Sequence, residues 1–308
     1  MTRVERDFPS GGLGERARRW LDGDPEVRAE RPVRQAATVQ LVRDAEDGAG
    51  VEVFMLRRVA TMEFAPWMMV FPGGGVDPRD ADEALARDHW AGPTPQQWAE
   101  RMGRPAAVAR QLVVTAVREV FEECGVLLAG TGPDDVVRDL ATPEWHADRV
   151  ALEARELSLT DLLLRRGLVL RSDLLAYRAR WITPAFESRR YDTAFFAALL
   201  PAGQHPDDRT TEADTAGWWY PADVLARLEQ GSVLMLPPTV VAVEQLAEAT
   251  AAAALVAERP EVWTISPELV EVEPGVVMLR APVPATARGA ATTRSAPPGA
   301  AGIRPEQA

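Results

Sequence analysis

Three glutamates, Glu119, Glu122 and Glu123, sit in the stretch "REVFEECGV" that runs from Arg118 to Val126. On an α-helix the positions i, i+3 and i+4 share one face, so the three carboxylates would crowd together. Like charges at that spacing repel. They also fall just before Gly125, where a helix would stop and where its dipole disfavours anions. A divalent cation reverses the sign of that arrangement. Mg2+ and Mn2+ take hard oxygen ligands and bridge to phosphate oxygens. The plainer alternative is a solvated helix face on which Arg118 pairs with Glu122 four residues on.

The elements that must hold these residues are legible around them. In "RPAAVARQLVVTAVREVFEECG" (104–125), Val113, Ala116, Val117, Val120 and Phe121 recur at helical spacing. Pro105 suits a first turn and Gly125 a left-handed stop. Upstream, "WMMVFPGGG" (67–75) reads as a short strand entering a glycine loop at Gly73 and Gly74. Strands are expected over 36–42, 51–57, 175–183, 191–200 and 216–221, with a strand pair within 262–280. A helix is expected over 221–230 and a long Ala-rich one over 237–258. Residues 1–33, rich in Arg, Asp, Glu and Gly, read as a flexible arm. Residues 281–308, rich in Ala, Pro, Gly and Thr, read as a disordered tail that cannot offset its ordering entropy. One domain, 34–280, is expected between them.

Composition removes several classes of function. At 46% hydrophobic and 26% charged, the chain has an ordinary globular make-up and can bury a sizeable core. The net charge of -12 repels phosphate backbones, which argues against a nucleic-acid partner. There is no lysine, so P-loop, protein-kinase and Schiff-base lysines are excluded. A single cysteine, Cys124, excludes a disulfide framework and a thiolate zinc site. No apolar run is long enough to span a bilayer, and "MTRVERDFPS" lacks an apolar signal region, so the expected location is cytoplasmic.

Arg118-Glu119-Val120-x-Glu122-Glu123-x-Gly125-Val126 reproduces every fixed position of the second half of the Nudix box, and Phe71-Pro72-Gly73-Gly74 resembles the loop that opens it. The chain therefore resembles the Nudix hydrolases, which cleave nucleoside diphosphates linked to another moiety. That resemblance implies an α/β fold, an α/β/α sandwich with a mixed sheet and a C-terminal helix. It implies Mg2+ or Mn2+ held by Glu119, Glu122 and Glu123, with Arg118 orienting the glutamates. Residues 76–104 intervene between loop and helix and read as a helical insertion. The family's first glutamate, eight positions before the arginine, would fall on Arg110; Asp77 stands nearby as a second-tier acid. Such an insertion is similar to a branch associated with coenzyme A diphosphate cleavage, and "RWITP", "RRYDTAFF" and "MLPPT" follow in the same order. The likeness covers roughly 35–245. Of that branch's upstream Arg, Arg, Gly pattern, Arg57 fits the first place, while Glu63 and Trp67 occupy the others.

Further candidates are less specific. Glu212 and Asp214 precede Trp218 and Trp219, where family members often place an acid, and either would serve as general base or as a further metal ligand. Arg57, Arg58 and Arg190, with Gly73 and Gly74, are candidate substrate-binding residues, the guanidiniums as diphosphate clamps. Trp67, Trp181 and Tyr191 would stack on a base or pack in the core. Cys124, beside the glutamates, reads as a bystander. The expected activity is metal-dependent hydrolysis of a nucleoside diphosphate derivative, coenzyme A or its acyl esters among them. NADH, ADP-ribose or an oxidised nucleotide remain alternatives, as does a non-catalytic nucleotide-binding module. The expected partner is a nucleoside diphosphate-linked small molecule, with neither nucleic acid nor membrane; a homodimer is left open.

Overall fold

A computed structural model of the 308-residue chain describes residues 2–9, 15–59, 67–207 and 213–292. The chain divides into two compact units. The larger comprises Arg34–Trp181 and Asp192–Trp263, and the smaller Met1–Val33, Ile182–Tyr191 and Thr264–Ala308.

The larger unit is built on a sheet whose strands run in the order Ala213–Trp219, Val51–Arg58, Val33–Asp44, Arg190–Leu199, Leu175–Ile182. Short strands add to it: Met69–Val70 pairs with Val51–Arg58, and Gly73–Gly75 pairs antiparallel with Ala36–Thr38. Strand side chains alternate between faces. On Val51–Arg58, Phe54 and Leu56 join the core formed with Val113, Val117, Val120 and Phe121 of the helix Ala106–Cys124. The helices Pro221–Glu229 and Pro237–Ala247 also pack on that strand. The result is the expected layering of helices on a sheet.

The helix Ala106–Cys124 begins directly after Pro105 and ends at Gly125, whose φ of 69° is the left-handed stop. The insertion is a 3-10 turn, Pro78–Ala81, a short helix, Leu85–Asp88, a strand, Trp90–Ala91, and a helix, Pro95–Met102. Its strand runs parallel to Val169–Arg171, which in turn pairs antiparallel with Ala129–Gly130. Two buried polar knots tie the insertion down. Arg110 donates to the carbonyls of Ala81 and Asp82. Buried Asp192 accepts from Arg104 and Arg180.

Four expectations are corrected. The Ala-rich stretch 237–258 is two helices, Pro237–Ala247 and Ala252–Ala257. Asp44, from the end of a distant strand, accepts the Ala252 N–H at 2.7 Å and so starts the second helix afresh. The described residues of the arm 1–33 are structured, with a strand, Arg3–Pro9, and helices Glu15–Leu21 and Pro25–Arg28. That strand pairs with Val276–Pro284, which also pairs with Glu268–Glu273, in a three-stranded sheet of the smaller unit. Phe8 is buried and Asp7 forms a two-bond pair with Arg280 at 2.7 Å. The tail expected from 281 is correspondingly shorter: strand continues to Pro284 and a helix spans Ala287–Thr292, while 293–308 lie outside the described residues. The units also place Thr264 onward with the N-terminal segment rather than in a domain reaching 280. The pairing partner of residues 3–9 lies at the other end of the chain, so no local pattern could reveal it.

Candidate active site

The glycine loop and the end of the glutamate helix meet. Gly73 donates its N–H to Glu123 Oε2 at 2.8 Å. Only Gly74 is pressed against the helix, while Gly73 is pressed against the strand Val33–Asp44. A Cβ on Gly74 would stand 2.5 Å from Glu119 Oε1, and one on Gly73 would stand 2.5 Å from the Ala37 carbonyl. A side chain on Gly74 would require Glu119 to move, and one on Gly73 would require the backbone of the paired strand to move.

Arg118 organises the cluster from within. Its Nε donates to Asp80 Oδ1 at 3.0 Å, and Nη2 to Asp80 Oδ2 at 3.0 Å and to the Gly75 carbonyl at 2.9 Å. Its Nη1 donates to Glu122 Oε2 at 2.9 Å and lies 2.8 Å from Glu119 Oε1. One buried guanidinium therefore serves three carboxylates and the glycine loop. Burial works against its charge, but Glu119, Asp80 and Glu122 raise its pKa further above the ordinary arginine value.

The carboxylates are correspondingly strained. Burial pushes Glu119 up to about 8; Arg118 opposes the shift, and Glu122 and Asp80 add to it. Glu122 is also raised, first by burial, with Asp80 and Glu153 adding. The Cys124 thiol is pushed well above its ordinary value by burial and by Glu123, which agrees with an inert role.

Asp80 is the residue that sequence reasoning missed. Counting back from Arg118 along the helix lands on Arg110, which is not acidic. The acid lies on the other side of the insertion, on the turn that follows the glycine loop. A local signal was present in "DPRD": Asp77 caps Arg79 N–H, Pro78 opens the turn, and Asp80 Oδ2 accepts the Asp77 N–H at 3.0 Å, a reciprocal capping box. Thr115 donates its hydroxyl to Asp80 at 2.8 Å. Asp77 pairs with Arg79, whose hydrogen bond is the main cause of its pKa falling to about 2.

The other candidates are dispersed. Arg57 and Asp214 satisfy one another through two bonds, at 2.8 and 2.9 Å, on the surface. That pairing lowers the Asp214 pKa. Arg58 is half-buried, and its Nε has no hydrogen-bond partner among the described residues. Arg190 opens the strand Arg190–Leu199, and its Nε donates to the Thr183 carbonyl at 3.2 Å. Trp181 is buried, whereas Trp67 is 50% exposed beside Arg57, 5.9 Å from guanidinium to ring. Glu63 and Glu212 lie outside the described residues.

The profile of the family described as the NUDT19 Nudix domain matches residues 93–246, half of the chain. The chain belongs to this Nudix family. Its similarity to named Nudix proteins is moderate. It is 23% identical over 232 residues to the acyl-coenzyme A diphosphatase NUDT19 of Xenopus laevis, covering 65% of this chain and 60% of that protein. It is 27% identical over 222 residues to the Gallus gallus protein of the same name, covering 61% and 58%. The chain thus spans about three fifths of the length of these relatives. The crystal structure of a Nudix hydrolase from Alicyclobacillus acidocaldarius superposes with a TM-score of 0.62 at 28% identity, covering 75% of this chain and 98% of that one. The matched family segment contains the whole glutamate helix but begins after Gly73, Gly74 and Asp80, which meet that helix from outside the match.

A metal fits the chemistry of this donor set. Among the described residues no group of three or more His, Cys, Asp or Glu side chains is already gathered as a metal cage. Yet Asp80, Glu119 and Glu122 share one guanidinium, and burial has raised the pKa of both glutamates. Hard oxygen donors short of positive charge are the ligands that Mg2+ and Mn2+ prefer. No helix among the described residues is long and apolar enough to cross a membrane.

Proposed function

We propose that the chain hydrolyses the pyrophosphate bond of a nucleoside diphosphate derivative, with coenzyme A or its acyl esters as the preferred class. The observation that carries this reading is the meeting of the Gly73–Gly75 strand with Glu119 and Glu123 around a buried Arg118. The names of the two vertebrate relatives support the acyl-coenzyme A class.

Glu119 and Glu122 would hold Mg2+ or Mn2+, with Glu123 beside them. When bound, the ion would polarise the phosphoryl oxygens and lower the pKa of attacking water. The chain's own residues do the rest. Arg118 fixes the rotamers of Glu119 and Glu122 and anchors them to Asp80 and to the Gly75 carbonyl. The glycine strand brings bare backbone into direct contact with the carboxylates, with the Gly73 N–H on Glu123. Attack on phosphorus yields a nucleoside monophosphate and a second phosphorylated product. The water's proton passes to a carboxylate. Of the two loop acids, Asp214 is spent on Arg57 as placed, so Glu212 is the better base.

Purified protein is incubated with coenzyme A, acetyl-coenzyme A, NADH and ADP-ribose, each with Mg2+ or Mn2+, and the products are weighed by mass spectrometry. Cleavage of coenzyme A esters, lost in Glu122→Gln, is the expected result. A Glu122→Gln protein that turns over normally refutes the reading. Binding without turnover would make the chain a nucleotide-binding module.

A further inference from the structure

Glu119, Glu122 and Glu123 lie at the negative end of their helix, and the last turn of that helix holds no basic residue. The compensating cation comes from another helix. Arg149, on Pro143–Glu153, is buried against the end of the glutamate helix. Its Nε donates to the Glu122 carbonyl at 2.8 Å, and Nη1 to Asp207 Oδ1 at 2.7 Å. Glu153, one turn along the same helix, stands 3.4 Å from Nε. The Asp207 N–H in turn donates to the Cys124 carbonyl at 3.0 Å. Access for the guanidinium is provided by Gly125: a Cβ there would stand 2.9 Å from Arg149 Nη1. Two carbonyls at the helix end are thus claimed from outside the helix, one by Arg149 and one by the residue Arg149 holds.

We propose that Arg149 and Asp207 form a latch that positions Glu122 for catalysis by clamping the last turn of the glutamate helix. This rests on the hydrolase reading above. Arg149 is a positioning residue: it grips the backbone of Glu122 and leaves that carboxylate to Arg118. A guanidinium is needed because its planar fork reaches a carbonyl and a carboxylate at once, which an ammonium on a flexible stem does not. A small displacement of a reacting group is costly to rate: a shift of about 1 Å is worth about 100-fold.

The test compares the full-length protein with Arg149→Ala, Arg149→Lys and Asp207→Asn. Three quantities are read well below each variant's unfolding midpoint: kcat and KM on coenzyme A with Mg2+, and amide hydrogen exchange of residues 119–127. The latch requires Arg149→Ala to lose at least about tenfold in kcat with KM within about twofold, and to exchange faster at 119–127. Arg149→Lys should remain impaired, and Asp207→Asn should lose less in the same direction. A wild-type kcat in Arg149→Ala, with only a lowered midpoint, overturns the proposal and leaves Arg149 a packing residue. Should Arg149→Ala not fold, unchanged kcat and exchange in Asp207→Asn overturn it. If the wild-type protein cleaves none of the diphosphates, the hydrolase reading fails, and exchange alone decides the latch: unchanged protection at 119–127 removes it.

Discussion

Asp80 and Arg118 are 38 residues apart in sequence and joined by two 3.0 Å hydrogen bonds in a buried site. The pair bridges the insertion. It makes the turn after the glycine loop and the glutamate helix one rigid body, although the chain between them folds into two helices and a strand. Asp80→Ala strands no charge, since Arg118 keeps Glu119 and Glu122, but it leaves the Thr115 hydroxyl and Arg118 Nε without their acceptor in a buried site, which costs about 1–3 kcal/mol. Asp80→Ala is therefore expected to lower unfolding free energy by that amount in urea titrations. Its kcat should fall as well, since Arg118 would be free to swing away from Gly75. A variant with unaltered stability would show that the pair is idle.

Gly74 and Gly73 should fail differently when enlarged. A methyl on Gly74 meets the end of the Glu119 side chain, which can move; a methyl on Gly73 meets the Ala37 carbonyl, which cannot. Gly74→Ala is expected to fold with a stability loss below that of Gly73→Ala while displacing Glu119, and to lose about 100-fold in kcat. Gly73→Ala should instead lose stability first, by about 1–3 kcal/mol, as overpacked sites do. Parallel thermal melts and rate measurements on the two variants separate these outcomes. Equal losses in both would show that the glycine strand is not pressed against Glu119.

Much of this site can be read along the chain because its punctuation is local. Pro105 and Gly125 bound the glutamate helix to within a residue or two, and the glutamates need only helical periodicity to share a face. Asp80 could not be located by counting from Arg118, because the insertion breaks the count; its own signal, a capping box, speaks of turn structure rather than of a site. Arg149 and Asp207 carry no signal at all. They matter through backbone carbonyls at the end of a helix that only the fold brings to them. The same holds for Asp44, which restarts the helix at Ala252, and for the strand Arg3–Pro9, whose partner is at the other end of the chain.

Trp67 combines two unusual features: half its surface is exposed and its φ is 64°, a left-handed conformation that costs a non-glycine residue about 1–2 kcal/mol. Such strain persists where something else depends on it. Trp67→Gly is expected to change unfolding free energy by less than about 1 kcal/mol, because relief of strain offsets the lost contact with the Arg57 guanidinium. If the ring stacks on the substrate's base, KM for coenzyme A should rise about tenfold with kcat unchanged, in line with the 1–3 kcal/mol range of base stacking. An unchanged KM would assign the ring no part in binding.

The raised pKa of Glu119 sets a direction for stability against pH. Its carboxyl titrates near 4.5 when unfolded and at about 8 in the folded chain. Between those values the native state holds a proton that the unfolded state has released, so stability must fall as pH rises. The contribution is fully present below about pH 4.5 and gone above about pH 8. Asp77, held at about 2 by Arg79, acts in the opposite sense and in another window: its contribution is present above about pH 4 and is lost as pH falls through 2. With a chelator present, the melting temperature is expected to decline from pH 5 to pH 8. Mg2+ should flatten that decline and raise the midpoint more at pH 8 than at pH 5, because a cation binds the deprotonated carboxylates and stabilises only the folded chain. Differential scanning calorimetry across that range, with and without the ion, reads both slopes. A midpoint that rises toward pH 8 without metal would mean that Glu119 is ionised at no cost, and the shortage of positive charge around Arg118 would not exist.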